Sequence, residues 1–452
     1  MKVTAPRALA LKVLRRARQT EGWVREILES ALSGDVVDAR DRALVTRLVY
    51  GVAEMQGTLD FVIDRYVDRP GRLDPAARDA LRLAVYELLF SDAEAHAVVH
   101  QGVELVRSVA VHASGLANAV LRRIAADASA FPWGDPETDL GALALATGHP
   151  LWLAERFAEE FGFTSAAEIM RADHELAPLY LALNPFRTSA EDAFARLGTD
   201  GADPVACDLP GCIEAREPAA AVRGTALAEG LVVVADASAQ LVATLAPLAP
   251  AATVLEIAAG RGTKTLLLQA AAIRAGDPAE ITAVDVHPFK AKVLGERMDF
   301  LGVPGVVPLI ADATDPDALG AALPGGADLV FIDAPCSGLG TLRRHPEKRW
   351  RLGPDDIDEL AGLGQRILGA SSRLVRPGGF VVYSTCTIVR RENGDVIEEF
   401  LDSDEGRGFE VYDITERLPV SLRPAVAPRG WIQTLPTIGG PDGHFAAVLM
   451  RT

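Results

Sequence analysis

Hydrophobic residues recur at helical spacing over the first 126 residues, and strand-like alternation is nearly absent there. Apolar side chains in Leu44–Val52 fall on one face of a helix, because a helix turns once every 3.6 residues. The same spacing returns in Leu81–Leu88 and in Leu116–Ile124. This pattern predicts five to seven helices, and we expect residues 1–126 to form an all-α bundle. The pattern is also typical of a packing or dimerisation domain.

The pattern changes after residue 126. Residues 127–150 contain a Phe-Pro-Trp-Gly-Asp-Pro stretch and predict a linker. A helix is expected from Leu151 to Phe161, and the next apolar run, Leu179–Leu183, has the length and composition of a strand. We therefore predict a small α+β subdomain over residues 151–235.

From residue 236 to residue 452, strand patterns and helix patterns alternate. This alternation predicts an α/β domain with a parallel, doubly wound sheet and helices on both faces. A last apolar run, His444–Leu449, is expected to close an edge of the sheet. The other predicted strands are Thr253–Ile257, Ile281–Val284, Val307–Ile310, Leu329–Ile332 and Phe380–Tyr383. The helices predicted between them are Lys264–Ala275, Lys290–Leu301 and Pro354–Ser372.

Composition narrows the class of protein. A chain of 452 residues that is 49% hydrophobic and 24% charged is long enough for several globular domains. No apolar run approaches the roughly 20 residues that span a bilayer, so we expect no membrane segment. Four cysteines are too few for a disulfide framework, which favours a cytoplasmic setting. Cys207 and Cys212 have no further ligand at metal-binding spacing, so we expect no metal. The net charge of −17 argues mildly against a nucleic-acid binder.

A glycine-containing turn and three acidic residues follow the strands of the α/β domain. The two glycines of the turn let a ligand approach the backbone where a helix begins. Asp285 and Asp312 end the second and third strands, at the edge where open α/β sheets bind ligands. A carboxylate at 285 can accept both ribose hydroxyls, and one at 312 can meet an adenine amino group. Because no phosphate-loop signature is present, the pattern predicts an adenosine ligand without a triphosphate. The candidate cofactor-binding residues are Ala258, Ala259, Gly260, Arg261, Gly262, Thr263, Lys264, Asp285, Asp312 and Asp333.

Two cysteines stand at strand ends. Cys336 lies in Asp333-Ala-Pro-Cys336 and Cys386 follows Ser-Thr. Each alone is also consistent with a small buried hydrophobic residue. Together they suit methylation of cytosine, whose carbon 5 is a poor nucleophile until a thiolate adds to carbon 6. Asp333 can stabilise that adduct at the ring nitrogen if it holds or shares a proton. The candidate catalytic residues are therefore Cys386, Cys336 and Asp333.

These motifs resemble those of the Sun family of RNA 5-methylcytosine methyltransferases. The motifs that carry the resemblance are Ile332–Gly340, Arg344–Pro346, Leu374–Gly379, Tyr383–Thr387 and Glu392-Asn393. The N-terminal segment looks like the NusB-type RNA-binding fold, in Ala39–Leu44, His96–Gln101 and Leu116–Arg122. With both parts, the chain resembles the RsmB type of this family from end to end.

The resemblance implies a Rossmann-like methyltransferase domain over residues 236–452, preceded by a NusB-like domain and a small α+β subdomain. It also implies S-adenosylmethionine as methyl donor and a cytosine of small-subunit (16S) ribosomal RNA as target. Cys386 would be the nucleophile and Cys336 would aid product release. The family's usual Ala-Pro-Gly-Gly-Lys-Thr turn is altered here at Arg261 and Thr263.

Other functions remain open on the sequence alone. The chain could be a tRNA cytosine-5 methyltransferase, or an RNA-binding assembly factor with weak catalysis. A DNA cytosine methyltransferase is disfavoured. Such enzymes have their nucleophile in the Pro-Cys loop and do not need a second cysteine at the position that Cys386 occupies here. We expect a monomer. A basic run after the Cys336 loop is expected to bind RNA phosphates, and its members are Arg343, Arg344, His345, Lys348, Arg349 and Arg351.

Overall fold

The computed structural model describes residues 3–34 and 38–452, and the chain divides into two compact units. The first, here called the helical unit, comprises the described residues up to His174 together with Leu342–Leu352. The second, the sheet unit, comprises Glu175–Thr341 and Gly353–Thr452. No helix within the described ranges is both long and apolar enough to cross a membrane.

The helical unit packs its helices around one apolar core. Leu48, Leu81 and Leu121 are almost completely buried in that core, which matches the predicted helical faces. The side chain of Asp74 begins one helix by accepting hydrogen bonds from the first free backbone N–H groups. The helices are α1 (Ala5–Thr20), α2 (Val24–Gly34), α3 (Ala39–Glu54), α4 (Gln56–Tyr66), α5 (Pro75–Phe90), α6 (Ala95–Val109), α7 (Ser114–Asp127), α8 (Leu140–Thr147) and α9 (Leu151–Ala172). The prediction of an all-α N-terminal segment is confirmed.

The helical unit extends past residue 126, where the sequence predicts a linker. Helix α8 lies within residues 127–150, and its apolar residues are buried around much of its circumference, so it lacks the one-sided periodicity that marks a surface helix. Helix α9 continues beyond the predicted end at Phe161, but Gly162 interrupts it with a φ of 77°. The contacts of both helices place them with the preceding bundle.

A small antiparallel sheet opens the sheet unit. Its strand order is β2-β3-β1-β4, and Leu181, Ile213 and Val232 form a core with the adjacent helices. The strands are β1 (Leu179–Leu183), β2 (Pro204–Ala206), β3 (Cys212–Ala215) and β4 (Val232–Val234). The helices are α10 (Ala190–Thr199), α11 (Pro218–Arg223) and α12 (Thr225–Ala228). The predicted α+β character of this region is confirmed.

A larger mixed sheet forms the rest of the sheet unit, with the order β10-β12-β9-β8-β5-β6-β7 and with β11 also paired to β12. Its strands are β5 (Thr253–Ile257), β6 (Glu280–Asp285), β7 (Val306–Ile310), β8 (Ala327–Asp333), β9 (Val375–Thr385), β10 (Phe409–Val411), β11 (Ile432–Gln433) and β12 (Phe445–Arg451). The remaining helices are α13 (Ala237–Thr244), α14 (Thr263–Ala275), α15 (Pro288–Leu301), α16 (Pro316–Ala322), α17 (Lys348–Arg351), α18 (Pro354–Ser372) and α19 (Gly394–Asp402). Of these, α17 lies in the helical unit.

Strands β5 to β9 are parallel, as predicted, whereas β10, β11 and β12 run antiparallel to their partners. The expectation that the last strand closes an edge is wrong, because β12 lies between β9 and β10. Residues 445–449 of β12 are all apolar and fully buried, which suits a central strand. Strand order reverses on either side of β5, so the carboxyl ends of β5 and β8 flank a ligand-binding crevice.

Candidate active site

The turn after β5 contains residues with positive φ, a conformation in which glycine is the least strained residue. Gly262 caps α14 with a φ of 82°, and a Cβ there would lie 2.9 Å from Met298 Cε. Arg297 of α15 supports the altered part of the turn. Its Nη1 donates to the Arg261 carbonyl at 3.1 Å and to Thr263 Oγ1 at 2.9 Å. The two departures from the usual motif therefore stand in an ordered, hydrogen-bonded turn.

Asp285 is fixed by backbone groups at the end of β6. Its Oδ1 accepts from the His287 N–H at 2.9 Å, and its Oδ2 accepts from the Gly260 N–H at 3.1 Å. The side chain is only 6% exposed, and Lys290 Nζ lies 3.7 Å from Oδ2. Each carboxylate oxygen can accept a second hydrogen bond. Asp285 can therefore bind hydroxyl groups without releasing the backbone.

A cavity of about 400 Å³ lies between these strand ends. Its volume is in the range of small-molecule sites. Asp312 lies on one side, where the Thr314 N–H and hydroxyl donate to Oδ1 and lower the pKa of this carboxyl. The lining residues are Ala258, Val284, Asp285, Val286, His287, Lys290, Ala311, Asp312, Ala313, Thr314, Pro335, Leu363 and Ile367. Two carboxylates against an apolar wall suit a nucleoside.

Lys264 and Asp333 form an ion pair, with 2.7 Å between Nζ and Oδ2. Burial lowers the pKa of Lys264, but the charge and hydrogen bond of Asp333 raise it more, and the net shift is upward. Lys264 therefore carries the proton, and Asp333 accepts the hydrogen bond. The role of Asp333 as an acid at the ring nitrogen stays a prediction. The sequence placed Lys264 among the cofactor-binding residues and missed this pairing, because a pairing across 69 residues has no local signal.

The two strand-end cysteines are adjacent. Cys336 Sγ and Cys386 Sγ are 3.5 Å apart. The hydrogen bond to Cys386, burial and the nearby negative charge of Glu392 raise the pKa of Cys336 well above the ordinary thiol value. Cys336 therefore holds its proton more tightly than an ordinary thiol does. The sequence predicted that both cysteines stand at the ends of neighbouring strands, and in the structure their sulfur atoms lie side by side.

Glu256 is a buried acid that sequence reasoning did not single out. It lies in β5 with no exposed surface, and its Oε2 accepts from Thr265 Oγ1 at 2.6 Å. Burial raises its pKa to about 8, the Thr265 hydrogen bond opposes the shift, and the charge of Asp333 adds to it. An acidic residue inside a strand gives no signal of this kind until its burial is known.

The basic run lies in the helical unit, within Leu342–Leu352. Arg349 is fully buried, and its guanidinium donates to the carbonyls of Thr147, Gly148 and Asp173 at 3.1–3.2 Å. The prediction that Arg349 binds RNA phosphates is therefore wrong for this conformation. These carbonyls lie at the ends of α8 and α9, where helices leave acceptors unpaired.

Arg351 also contacts other residues of the helical unit, although its side chain remains exposed. Its guanidinium donates to the carbonyls of Glu21 and Gly22 at 3.2 and 2.8 Å and lies 4.4 Å from the Trp23 ring centre. Arg343, Arg344, His345 and Lys348 keep at least partial exposure, and their RNA-binding role stays a prediction. Within the described ranges, no three His, Cys, Asp or Glu side chains gather as a metal site.

A Rossmann-like sheet with a nucleoside-sized cavity at its switch point, beside paired cysteines, defines a class of methyltransferases. Comparison with known families agrees. Residues 242–450 match the 16S rRNA methyltransferase RsmB/F family, and residues 4–126 match the NusB family. Residues 149–221 match the ferredoxin-like domain of RsmF/B-like methyltransferases.

Similar proteins extend over the whole chain. A probable ribosomal RNA small subunit methyltransferase B of Bacillus subtilis is 30% identical, with all of both chains covered. A ribosomal RNA small subunit methyltransferase B of Xanthomonas campestris is 33% identical over 99% of this chain and 97% of its own. The crystal structure of PH0851 superposes with a TM-score of 0.77 at 26% identity, covering 99% of this chain and 100% of that one. The chain belongs to the RsmB/F family of ribosomal RNA methyltransferases.

The predicted family, fold class and methyl donor are thereby confirmed. The protein is an RNA methyltransferase that uses S-adenosylmethionine. The residues that line the cavity fit this cofactor, since the carboxylate of Asp285 could accept hydrogen bonds from ribose hydroxyls and that of Asp312 from an adenine amino group.

Proposed function

We propose that this protein methylates carbon 5 of a cytosine in 16S ribosomal RNA through a covalent adduct with Cys386. The observation that carries the proposal is the pair of sulfurs 3.5 Å apart, electrostatically coupled to Lys264. Cytosine-5 methylation needs a nucleophile for carbon 6, a proton donor for the ring and a second group for release. The relatives named for the small ribosomal subunit support the choice of RNA.

The strand-end acids and the glycine turn would bind the methyl donor. Asp285 would accept the ribose hydroxyls, Asp312 would accept the adenine amino group, and backbone from Ala258 to Lys264 would line the remainder. Once bound, S-adenosylmethionine supplies an electrophilic methyl group. The ordered turn held by Arg297 supports an active enzyme over an assembly factor with weak catalysis.

Cys386 begins the reaction when its thiolate adds to carbon 6 of the cytosine. Lys264 is the charged donor that can hydrogen-bond to the ring, and Asp333 orients it. The electron pair displaced by addition makes carbon 5 enamine-like and nucleophilic. As carbon 5 bonds to the methyl carbon, the bond from that carbon to the sulfonium sulfur of the methyl donor would break and leave its electron pair on the sulfur.

Cys336 acts in the second half of the reaction, in which the methylated base is released from Cys386. After the Cys336 thiol has released its own proton to solvent, the proton on carbon 5 passes to the Cys336 thiolate. The electron pair left on carbon 5 restores the double bond to carbon 6, and the bond from carbon 6 to Cys386 breaks with its electron pair kept by the Cys386 thiolate. A thiol with a raised pKa is a strong proton acceptor once ionised, which fits Cys336 for this step.

Exchanging each cysteine for alanine separates the two roles. Cys386→Ala should lose methylation and form no adduct. Cys336→Ala should methylate RNA once and remain attached, giving a donor-dependent, detergent-resistant band on a denaturing gel. Cys207→Ala, which changes a cysteine directly after β2, should behave like the unaltered protein. A trapped band with Cys386→Ala instead would reverse the roles, and full activity in both variants would contradict the mechanism.

Bisulfite sequencing of RNA from a deletion strain identifies the substrate. The proposal expects one cytosine of 16S rRNA to lose its protection and to regain it on complementation with the unaltered gene but not with Cys386→Ala. Loss of protection in tRNA alone would make the protein a tRNA cytosine-5 methyltransferase.

A further inference from the structure

Glu392 connects the two cysteine loops through buried hydrogen bonds. It ends a short 3₁₀ turn, Arg390–Glu392, and is 1% exposed. Its Oε1 accepts from the Ser337 N–H at 2.7 Å, and its Oε2 accepts from Ser337 Oγ at 2.5 Å. Ser337 directly follows Cys336, so the Glu392 carboxylate fixes both the backbone and the side chain next to that sulfur.

The connection continues to the other cysteine. Ser337 Oγ lies 2.9 Å from Thr387 Oγ1, and Thr387 directly follows Cys386. A serine hydroxyl has one proton, which Ser337 gives to Glu392. Thr387 must therefore donate to Ser337, which orients a chain of hydrogen bonds from Thr387 through Ser337 to the carboxylate.

The neighbouring residue holds the Cys386 loop from both sides. Asn393 Oδ1 accepts from Thr385 Oγ1 at 2.6 Å, and its Nδ2 donates to the Thr387 carbonyl at 3.1 Å. Tyr383 Oη donates to the Glu392 carbonyl at 3.0 Å. All of these side chains are buried, so each needs its partner to offset the loss of hydration.

We propose that Glu392 is a positioning residue for the release half of the reaction. It holds Ser337 and Thr387, and so keeps Cys336 where it can accept the proton from carbon 5 while Cys386 is bound to carbon 6. This inference rests on the proposed cysteine mechanism. Glu392 touches neither the base nor the donor in this role, and its action passes through the residues that follow the two sulfurs.

Glu392→Gln tests the carboxylate without changing its shape. One acceptor oxygen becomes an NH₂ group, so the Ser337 hydroxyl can no longer donate to it and the chain must reverse. Because displacements of about 1 Å cost on the order of 100-fold in rate, we expect adduct resolution to slow by about 10- to 100-fold. The expected result is a donor-dependent RNA–protein band, while the RNA affinity measured without the methyl donor stays within about twofold of that of the unaltered protein. Glu398→Gln, in α19 and paired with Arg390 and Arg429, is the matched control.

Thr387 supplies an independent pair of variants. Thr387→Val removes the hydroxyl at constant shape and should accumulate adduct, whereas Thr387→Ser keeps the hydroxyl and should release product normally. If Cys336→Ala traps RNA but Glu392→Gln and Thr387→Val do not, Glu392 has no positioning role.

Alkylation of Cys336 separates this inference from the covalent mechanism. The rate of iodoacetamide labelling, followed on the Cys336 peptide by mass spectrometry, needs no RNA. Removing the Glu392 charge should move the pH midpoint of labelling downward by at least about half a unit, since one negative charge nearby favours the neutral thiol. An unchanged midpoint in Glu392→Gln would refute the inference even if no variant traps RNA. If the midpoint shifts but no variant traps RNA, the effect of Glu392 on Cys336 is supported. The covalent mechanism is then refuted instead.

Discussion

Asp285 serves two purposes with one carboxylate, because its oxygens anchor the Gly260 and His287 backbone and also face the cavity. Asp285→Ala would leave two backbone N–H groups without their acceptor, so Asp285→Asn is the cleaner variant. It keeps one carbonyl oxygen and loses the charge. A charge-assisted hydrogen bond is worth about 1.5–3 kcal/mol, so we expect donor affinity to fall about 10- to 100-fold by calorimetry. Asp299→Asn, exposed on α15, should bind the donor normally, and unchanged affinity in Asp285→Asn would exclude Asp285 from the donor site.

Glu256 gives the protein a pH-dependent stability. Its pKa is raised from 4.5 to about 8 in the folded state, so the folded protein holds a proton that the unfolded chain releases between these values. Stability from this group is full below about pH 4.5 and is lost as pH rises towards 8, by up to about 1.4 kcal/mol per pH unit.

Glu256→Gln mimics the protonated acid and should remove this slope. Melting curves at pH 5.5 and 8 should show a smaller loss of stability in the variant than in the unaltered protein. Glu280→Gln, exposed at the start of β6, should keep the original slope. Equal slopes in all three proteins would show that Glu256 is ionised in the folded state at neutral pH.

Among the elements, strand ends were more predictable than the segments between strands. The apolar runs of β5 to β9 are short and bounded by turn residues, so their ends, and with them Asp285, Asp333 and Cys386, could be placed from the sequence. Helix α8 has no one-sided pattern, and β12 looks like an edge strand only because it is last in the chain. The Lys264–Asp333 pair and the Glu392 network join distant residues, which no local pattern indicates.

The segment Leu342–Leu352 shows how a charge run can mislead. Five basic residues in nine predict a phosphate-binding surface, yet Arg349 satisfies helix-end carbonyls inside the helical unit. Arg349→Ala should therefore lower the free energy of unfolding by about 2–4 kcal/mol, because it leaves buried acceptors unpaired.

Lys348→Ala is the matched test of RNA binding, since this side chain is partly exposed in the same helix. Stability should change by less than about 0.5 kcal/mol. If Lys348 contacts a phosphate, the dependence of log affinity on log salt should weaken by about 0.7–0.9, measured by filter binding. An unaltered salt dependence would exclude Lys348 from the RNA interface.

At the scale of the whole molecule, three family matches follow one another along the chain, over residues 4–126, 149–221 and 242–450. The compact units do not follow the same divisions, because the helical unit includes α8, α9 and the distant Leu342–Leu352. Periodicity detects elements and their class. It does not show which stretches of chain share a core, because that depends on contacts such as those of Trp350, whose indole donates to the Glu54 carbonyl and whose ring occupies the space beside Gly57.

The ribosome synthesises Leu342–Leu352 long after it has passed residue 174, although this segment belongs to the helical unit. The helical unit therefore cannot form all its contacts as soon as its first 174 residues have been made. A nascent chain that has reached residue 174 must add Leu342–Leu352 before Arg349 and Trp350 can join their partners, a wait of roughly 10–40 s at usual elongation rates. A fragment ending at residue 174 should thus melt at a lower temperature than the helical unit of the full chain. A synthetic peptide of residues 342–352 should raise that temperature when added in trans, and the same peptide with Arg349→Ala should not. Nascent chains of intermediate length should accordingly be the forms most exposed to proteases and chaperones.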